Sequence, residues 1–367
     1  MLFGLPTNLG GYVISGDHPR WQIAGNSTKS KAESMRALVS YEPGGPDTLR
    51  LASLPDPVPA SGQLLVSIAA CGVNFPDLLM IQDLYQVKAP RPFAPGAEIA
   101  GTVVALGEGI SGFKVGDRVA ARCGTGGMAE MIAIDAARCT KIPDTMPFRD
   151  AAAFQFTYET AYYALVTRGR LKQNETVLVL GAAGGVGSAS IQVAKALGAR
   201  VVAATSSEEK LAFALSQGAD HGLVYQLDKE SEDPKKELAR AMKVAVGRTG
   251  ADLIIDPVGG FAVEPAMRCA AEGARYLILG FTAGIAAMPM NLPLLKSCDV
   301  LGINWRTFTL EQPLQSAANR AQLLEFYAAR KIAPAITATF ALEEGQAAIS
   351  AFKDRSVLGK IVVLIAG

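Results

Sequence analysis

The clearest chemical signal in the sequence is a glycine-rich loop that directly follows an apolar run. Residues 176–188 read TVLVLGAAGGVGS. In such a loop Gly181 permits a tight exit from a strand, Gly184 lets the backbone approach a pyrophosphate, and Gly187 lets the following helix lie close to the sheet. The helix N-terminus then offers N–H groups and the positive end of its dipole to the phosphates. The predicted phosphate-binding residues are Gly181, Gly184, Gly185, Val186 and Gly187.

The end of the next strand distinguishes NADPH from NAD. An NAD site usually carries a carboxylate there, which binds the ribose 2′-hydroxyl. The predicted strand Arg200–Ala204 is instead followed by Thr205 and Ser206, and no carboxylate stands at its end. Ser206 can donate a hydrogen bond to a 2′-phosphate, and Lys210 can supply positive charge. NADPH, with Thr205, Ser206 and Lys210 at its 2′ end, is the predicted cofactor; NAD is the alternative, because two glutamates follow.

Residues that could hold a metal or act as a nucleophile are scarce. The chain contains two His and five Cys, and no two Cys form a C-x-x-C pair. A disulfide framework or a zinc knuckle is therefore not expected, and the cysteine usage suits a reducing cytoplasm. Cys71 is expected to be a buried apolar residue, because no histidine is available to form its thiolate.

Length and charge exclude several classes of partner. The 367 residues are enough for two domains, and 35 Lys and Arg against 34 Asp and Glu give a net charge of +1. This balance gives no electrostatic reason to expect a nucleic acid or an anionic membrane as partner. Residues 1–34 lack the apolar block of a secretory signal, and we expect a poorly ordered leader. Two uncharged runs later in the chain contain Gly or Pro, so neither is expected to span a membrane.

The elements that must position the glycine loop form two groups. From residue 36, short Val- and Ile-rich runs alternate with Gly/Pro turns, which predicts a barrel-like β domain. The predicted strands there are Arg36–Tyr41, Gln63–Cys71, Ile99–Leu106, Arg118–Ala121 and Ala129–Ile134. After a predicted helix over Ala151–Arg168, strands and helices alternate, which is typical of a doubly wound parallel sheet. Its predicted strands are Thr176–Leu180, Arg200–Ala204, Leu223–Tyr225, Leu253–Asp256, Arg275–Leu279 and Val300–Ile303.

The segments between and after those strands complete the predicted organisation. The helices expected within the sheet domain are Gly185–Leu197, Glu208–Gln217, Lys229–Val246 and Phe261–Ala271. The residues after 305 are too few for a domain of their own. They contain predicted helices at Leu314–Ala329 and Leu342–Asp354, and predicted strands at Ala335–Phe340 and Gly359–Leu364. We expect this tail to return to the β domain, which makes the parallel-sheet domain an insertion.

Several further motifs, taken together, point to a known family. They are ACGVNFPDL (70–78), PGAEIAG (95–101), FKVGDRV (113–119), AGGVGS (183–188), DPVGG (256–260) and GKIVVL (359–364). With these motifs the chain, from about Met35 to its C-terminus, resembles the medium-chain dehydrogenase/reductase superfamily. The resemblance implies an α/β protein with a GroES-like β-barrel catalytic domain at residues 35–157 and 308–367. It places an inserted Rossmann domain at residues 158–307.

The resemblance also indicates which metal ligands are missing. Zinc alcohol dehydrogenases of this superfamily carry a ligand Cys and a ligand His in these motifs, whereas Asn74 and Ala97 stand at those positions here. Pro76 replaces the Ser or Thr of their proton relay. The sequence is therefore similar to the zinc-free quinone oxidoreductase branch, where VNFPD is typical. In that branch NADPH donates hydride to a quinone or an activated C=C, so no zinc is expected.

The same resemblance implies a set of residues around the nicotinamide. Asn74 is expected to bind the nicotinamide ribose or the substrate carbonyl, or else to stabilise a turn. Tyr85 falls where relatives place a tyrosine near the acceptor, as a proton donor or a pocket wall, although Asp83 replaces a glycine of the related enoyl reductase pattern. Thr160 matches a threonine beneath the nicotinamide. Further cofactor contacts are expected from Val258, Gly280, Phe281, Asn304 and Lys360.

Three functions follow from these features, in order of preference. The first is a cytoplasmic, zinc-independent, NADPH-dependent oxidoreductase that reduces a quinone or a related α,β-unsaturated carbonyl. The second is a 2-enoyl thioester reductase, for which Arg168, Arg170 and Lys172 form a basic cluster. The third is a non-catalytic NADPH-binding protein. Members of this type are commonly dimers that pair through the edge of the Rossmann sheet, here Leu277–Ile303.

Overall fold

The computed structural model describes residues 34–225, 232–354 and 356–365. The predicted leader lies outside the described residues, except for Ser34, which begins the first strand. The strands are β1 (Ser34–Val39), β2 (Arg50–Pro55), β3 (Gln63–Val73), β4 (Glu98–Leu106), β5 (Arg118–Arg122), β6 (Met131–Asp135), β7 (Cys139–Lys141), β8 (Thr176–Leu180), β9 (Arg200–Thr205), β10 (His221–Val224), β11 (Ala251–Asp256), β12 (Ala270–Ile278), β13 (Asp299–Gly302), β14 (Ile336–Ala341) and β15 (Lys360–Leu364).

Helical segments of three kinds connect these strands. The α-helices are α1 (Phe75–Ile81), α2 (Phe148–Ala152), α3 (Thr160–Tyr162), α4 (Gly185–Ala196), α5 (Glu208–Ser216), α6 (Pro234–Val246), α7 (Val263–Arg268), α8 (Asn291–Lys296), α9 (Trp305–Glu311), α10 (Pro313–Ala328) and α11 (Gly345–Ser350). The 3-10 turns are Pro46–Thr48, Ala136–Arg138, Gly260–Ala262 and Leu342–Glu344. The π-helical segments are Gln155–Glu159 and Tyr163–Arg168.

The glycine loop follows a central strand of a six-stranded sheet in the described part of the chain. The strand order is β10-β9-β8-β11-β12-β13, and every pair is parallel. Strand β8 is buried along its whole length, as expected where helices cover both faces of a parallel sheet. The strand order reverses between β8 and β11, so the loop lies at the switch point where such sheets bind ligands. The predicted doubly wound sheet is confirmed.

Two predicted helices of this sheet are wrong in their bounds. The chain enters β12 at Ala270, which pairs with Ala251, whereas Phe261–Ala271 was predicted to be helical. The alanine-rich run has high helix propensity, but pairing with a neighbouring strand outweighs propensity. The helix predicted over Lys229–Val246 begins at Pro234, and residues 226–231 lie outside the described part.

Among the described residues, the β domain contains a seven-stranded sheet to which the tail contributes. Its order is β14-β15-β3-β4-β5-β7, with β6 also paired to β3. Strand β15 lies antiparallel to β3, so the end of the chain returns to the first domain and the parallel sheet is inserted. Strands β2 and β7 and helix α1 were not predicted. The tail helix expected over Leu342–Asp354 ends at Ser350 and begins with a 3-10 turn.

The helical region between the two sheets is not the single α-helix predicted over Ala151–Arg168. Helices α2 and α3 alternate there with the two π-helical segments. The hydroxyl of Thr157 donates to the Ala153 carbonyl at 3.3 Å, and that of Thr160 donates to the Phe156 carbonyl at 2.6 Å. Such side-chain bonds compete with the backbone ladder and favour wider turns.

Candidate active site

The glycine loop has the geometry of a phosphate cradle. Gly181 leaves β8 with a φ of +58°, a conformation that favours glycine. A Cβ at Gly184 would meet only the Gly181 carbonyl oxygen, at 3.5 Å, so the space in front of this residue is open. A Cβ at Gly187 would overlap that same oxygen and lie 2.8 Å from the Ala182 Cα, so the helix can lie this close only with glycine. The two glycines therefore have different roles, one toward the ligand and one toward the sheet.

Helix α4 begins at Gly185, directly after the open position. Its N-terminal N–H groups, including those of Val186 and Gly187, have no intrahelical acceptor and suit a phosphate. The loop is also fixed from the other domain, because the Gly359 N–H donates to the Ala183 carbonyl at 2.8 Å. The predicted pyrophosphate site thus fits the residues present.

The structure brings Ser206 and Lys210 together at the end of β9. The Lys210 ammonium donates to the Ser206 hydroxyl at 3.0 Å. Ser207, not Ser206, caps helix α5, since its hydroxyl accepts the Lys210 N–H at 3.3 Å. Thr205 is buried and its hydroxyl donates to the Ser207 carbonyl at 3.2 Å. Hydroxyl and ammonium groups therefore stand together where a 2′-phosphate is predicted.

Asn74 belongs to a buried polar network rather than to an isolated turn. The Lys360 ammonium donates to the Asn74 Oδ1 at 2.7 Å, to the Glu98 Oε1 at 2.6 Å and to the Val73 carbonyl at 3.2 Å. The Asn74 amide nitrogen donates in turn to the Glu98 Oε1 at 3.0 Å. The second Glu98 oxygen accepts the Phe156 N–H at 2.9 Å. The orientation of the Asn74 amide is therefore set by a cation on one side and a carboxylate on the other.

Glu98 was not predicted to hold Asn74, and Lys360 was expected only as a cofactor contact. Lys360 is 3% exposed and Glu98 is 1% exposed. Lys360 also packs beneath the glycine loop, because a Cβ at Gly185 would lie 3.2 Å from its Cδ. The signal was available in the GKIVVL motif, where a lysine begins an otherwise apolar strand. Its partners, however, are 262 and 286 residues away in the chain.

One carboxylate, that of Asp77, and one thiol, that of Cys71, lie next to this network. Burial raises the pKa of Asp77 to about 7, although its carboxylate accepts the Asn74 N–H at 2.7 Å and the Gly96 N–H at 3.2 Å. Cys71 is fully buried, as expected, and burial together with the charge of Asp77 raises the pKa of its thiol well above the usual value. A thiol held neutral in this way is not a nucleophile.

Tyr85 lies half-buried beside the β-domain core. Burial raises the pKa of its hydroxyl, so the group is protonated at neutral pH. The preceding turn is formed by Asp83, which adopts a φ of +57° and whose carboxylate pairs with Arg91 at 2.8 Å. This residue takes the left-handed conformation that glycine favours, and the ion pair fixes it there. Asp83, which stands where the related enoyl reductase pattern has glycine, therefore still forms a tight turn before Tyr85.

The remaining predicted cofactor contacts follow strands at the same end of the sheet. Val258 and Gly280 each lie two residues beyond the end of a strand, β11 and β12 respectively, and Phe281 is 50% exposed. The carboxylate of Asp256 accepts the N–H groups of Val258 and Gly259, both at 2.8 Å, which fixes the first of these turns. Thr160 directs its hydroxyl to the Phe156 carbonyl. Asn304 caps α9, because its Oδ1 accepts the Thr307 N–H at 3.1 Å.

The basic cluster considered for a thioester substrate lies away from this end. Arg170 pairs with Asp299 at 3.1 Å, at the start of β13, and the Lys172 N–H donates to Glu175, just before β8. These positions mark the amino ends of the strands, opposite the glycine loop. Within the described ranges, no three His, Cys, Asp or Glu side chains are grouped so as to hold a metal ion. No helix in the same ranges is long and apolar enough to cross a membrane.

Comparisons with known proteins agree with this architecture. The family model described as an alcohol dehydrogenase GroES-like domain matches residues 60–144, and the one described as a zinc-binding dehydrogenase matches residues 185–321. Quinone oxidoreductase-like protein 2 of Bos taurus is 34% identical over 347 residues, covering 94% of this chain and 94% of the relative. This chain belongs to the quinone oxidoreductase branch of the medium-chain dehydrogenase/reductase superfamily.

Two further members of that branch are similar over most of their length. The quinone oxidoreductase of Homo sapiens is 30% identical over 338 residues, which cover 90% of this chain and 98% of the relative. The crystal structure of the quinone oxidoreductase from Thermus thermophilus, also solved as a complex with NADPH, aligns with a TM-score of 0.76. That match has 34% sequence identity and covers 90% of this chain and 100% of the other.

Proposed function

We propose that this protein is a zinc-independent, NADPH-dependent oxidoreductase that transfers hydride to a quinone or a related α,β-unsaturated carbonyl. The observation that carries the proposal is the pairing of an open glycine cradle with the buried Lys360–Asn74–Glu98 network beside it. The first suits a dinucleotide, and the second takes the place of a metal centre. The solved Thermus thermophilus relative binds NADPH, which supports the same cofactor here.

The choice of NADPH over NAD rests on the end of β9. The Ser206 hydroxyl and the Lys210 ammonium lie 3.0 Å apart there, and the strand ends in Thr205 rather than a carboxylate. An ammonium near a 2′-phosphate forms a charge-assisted hydrogen bond, which a 2′-hydroxyl cannot match. A carboxylate at the strand end would instead repel the phosphate.

The absence of zinc from the reaction is supported by the chemistry of the residues at Asn74. Catalytic zinc takes three protein ligands from His, Cys and carboxylates and keeps one position open. Here the Lys360 ammonium already lies 2.6 Å from Glu98 and 2.7 Å from Asn74. A buried lysine this close repels a second cation and neutralises the Glu98 carboxylate. The residues present therefore do not fit zinc.

The residues of the chain supply orientation and electrostatic stabilisation. When bound, NADPH supplies the hydride from its reduced nicotinamide. As hydride reaches the acceptor, negative charge develops on the acceptor oxygen, and preorganised donors stabilise it. Tyr85 carries a protonated hydroxyl because burial raises its pKa. Asn74 presents an amide whose direction Lys360 and Glu98 fix. We assign Tyr85 the role of a proton or hydrogen-bond donor to the acceptor oxygen. We assign Asn74 the role of an amide that orients the nicotinamide ribose or the substrate carbonyl.

We also propose how two copies of the protein associate. Strand β13 forms one edge of the parallel sheet. The apolar side chains of Val300 on this strand and of Leu294 and Leu295 in the preceding helix α8 are exposed. We propose that two copies pair along this edge, which would cover those side chains.

All five cysteines lie within the described residues and are free thiols, which supports a reducing compartment such as the cytoplasm. We retain 35–157 with 308–367, and 158–307, as the proposed domain bounds.

The function is tested by following NADPH oxidation with 1,4-naphthoquinone and with crotonyl-CoA. We expect quinone-dependent oxidation of NADPH, with kcat/KM at least about tenfold higher than for NADH. Turnover of the thioester about 100-fold better than the quinone would replace the proposal with enoyl thioester reduction. NADPH binding without turnover of either acceptor would show a non-catalytic binding protein instead.

A further inference from the structure

Two arginines beside the candidate site have no salt-bridge partner among the residues that the structure describes. Arg122 is the last residue of β5, and Arg306 lies in the first turn of α9, directly after Trp305. The charges that act on Arg122 belong to existing pairs, since Glu159 pairs with Arg320 and Arg138 pairs with Asp135. A guanidinium nitrogen that is buried without an acceptor carries a desolvation cost, so Arg122 in particular requires an explanation.

Arg122 is held against an aromatic wall. Its guanidinium carbon lies 4.8 Å from the centroid of the Trp305 ring. Its Nε is buried and has no hydrogen-bond acceptor among the described residues. Burial lowers the pKa of this guanidinium, which reflects the cost of keeping the charge there without a partner. Stacking on tryptophan orients the planar group but leaves its N–H donors available in the plane.

Trp305 connects Arg122 to the buried network. Its ring meets the edge of the Phe156 ring with centroids 5.7 Å apart. The Phe156 N–H donates to Glu98, the carboxylate that also binds Asn74 and Lys360. On the other side, the positive charge of Arg306 acts to lower the pKa of Tyr85. Arg122 is therefore connected to the Asn74 network through Trp305 and Phe156, and Arg306 lies near Tyr85.

The charges near Arg122 do not cancel. Arg320 contacts Glu159 through two hydrogen bonds, Nε to Oε1 at 2.6 Å and Nη2 to Oε2 at 3.3 Å. The Glu159 side chain is 2% exposed, and its charge also attracts Arg122, where it acts to raise the pKa that burial lowers. Two arginines against one glutamate leave a surplus of one positive charge. The cofactor phosphates do not supply the missing anion, because the glycine loop and the Ser206–Lys210 pair are assigned to them.

We propose that Arg122, Arg306 and Trp305 form a subsite for an anionic group on the hydride acceptor. The preferred substrate is then an electron-poor quinone or enone that carries a carboxylate, sulfonate or phosphate. The planar guanidinium binds such an oxyanion through paired N–H donors, and the indole ring lies against the acceptor. This inference rests on the proposed function and narrows its substrate class.

The turnover test compares 1,4-naphthoquinone with 1,4-naphthoquinone-2-sulfonate. The ratio of kcat/KM for the sulfonate to that for the neutral quinone is measured in the wild type and in Arg122→Met, Arg306→Met and Arg122→Lys. Because each variant is compared through its own ratio, differences in the intrinsic reactivity of the two quinones cancel. We expect the ratio to fall about tenfold or more in Arg122→Met and less in Arg122→Lys, which keeps the charge.

The matched control is Arg248→Met, since Arg248 is an exposed arginine in the turn after α6. We expect no change of its ratio beyond about twofold. A ratio that stays the same in Arg122→Met as in the wild type would overturn the subsite while leaving quinone reduction intact. Crotonyl-CoA, tested in the same variants, distinguishes a nucleotide phosphate from a group on the acceptor ring as the source of the anion.

A binding test without NADPH separates the subsite from the proposed function. The chain has two tryptophans, so a Trp21→Phe background leaves Trp305 as the only tryptophan. Benzenesulfonate and benzenesulfonamide, which differ mainly in charge, are titrated against its fluorescence. We expect tighter binding of the anion by about tenfold, and loss of that preference in Arg122→Met. Equal affinity for both probes would contradict the subsite even if the enzyme turns over quinones.

Discussion

At the scale of single residues, Glu98 determines how the candidate site is held together. Its two oxygens accept from the Lys360 ammonium, the Asn74 amide and the Phe156 N–H. Each of these groups comes from a different part of the chain, so the carboxylate joins the first domain, the tail and the helical junction. The Asn74 side chain can therefore have one orientation in the folded protein.

This network predicts a large effect of removing one charge. Lys360→Met leaves the Glu98 carboxylate buried without its cation, and we expect the free energy of unfolding to fall by about 3–5 kcal/mol. The double variant Glu98→Gln with Lys360→Met removes both charges and should recover part of that loss. Urea unfolding of the three proteins measures the effect. A single variant as stable as the wild type would show that the pair is not buried in solution.

The role of Tyr85 is tested by removing its hydroxyl alone. Tyr85→Phe keeps the ring that lines the pocket, so a wall residue would retain kcat/KM for the quinone within about twofold. A proton donor would lose at least about tenfold, because general acid catalysis contributes a hundredfold or more in typical cases. We expect the larger loss, with the KM for NADPH nearly constant. Steady-state kinetics at neutral pH decide between the two roles.

At this scale the sequence motifs identify Asn74 and Tyr85 as candidates, but they do not predict the residues that surround them. A motif identifies a residue, but it does not identify the partners that contact this residue from distant parts of the sequence, such as Lys360 and Glu98. Arg122 has no ion-pair partner among the residues that the structure describes, and this too is a property of the fold, because Glu159 is engaged by Arg320.

At the scale of elements, two glycines of the β8–α4 turn have separate expected roles, one in binding the ligand and one in the packing of the fold. Gly184→Ala adds a Cβ that meets only the Gly181 oxygen at 3.5 Å, so the fold should tolerate it. The added methyl group points into the predicted pyrophosphate space, and we expect NADPH affinity to fall about tenfold or more. Isothermal titration with NADPH, together with thermal unfolding, measures both quantities. Normal affinity in this variant would place the pyrophosphate elsewhere.

Gly187→Ala is the matched comparison within the same helix. Its Cβ would overlap the Gly181 oxygen and lie 2.8 Å from the Ala182 Cα, so helix α4 would have to move away from β8. We expect this variant to lower the free energy of unfolding by roughly 1–3 kcal/mol, as overpacking typically does. If both variants had the same effects on stability and binding, the two glycines would not have the distinct roles assigned here.

The β9–α5 turn predicts cofactor preference. Lys210→Ala removes the ammonium that lies against Ser206, and we expect the KM for NADPH to rise about fivefold to tenfold. The KM for NADH should change by less than about twofold, since NADH has no 2′-phosphate. Equal changes for both cofactors would show that Lys210 acts on the fold or on another part of the nucleotide.

Strand and helix types were largely predictable, and the exceptions have physical causes. The six parallel strands follow from alternating apolar runs and helical segments. The alanine-rich entry to β12 was missed because pairing with β11 decides it. This cause is tertiary, and a local pattern does not contain it. The π-helical segments at the domain junction were also missed, although the side-chain bonds of Thr157 and Thr160 there span only four residues.

At the scale of the whole molecule, the C-terminal tail contacts both the first domain and the glycine loop, so both domains contribute to the candidate site. Strand β15 pairs with β3 and carries Lys360 into the first domain, while the adjoining Gly359 binds the glycine loop at Ala183. The cofactor loop and the network around Asn74 are thereby fixed relative to each other by one strand. The metal-free character of the proposed chemistry follows from this arrangement, since a lysine ammonium lies beside Asn74 and Glu98.

The most direct measurement of that central claim is quinone-dependent NADPH oxidation before and after exhaustive dialysis against a chelator, with the metal content of the protein determined in parallel. We predict a kcat/KM that changes by less than about twofold in protein free of bound metal. Activity that is lost on chelation and returns on addition of zinc would contradict the account.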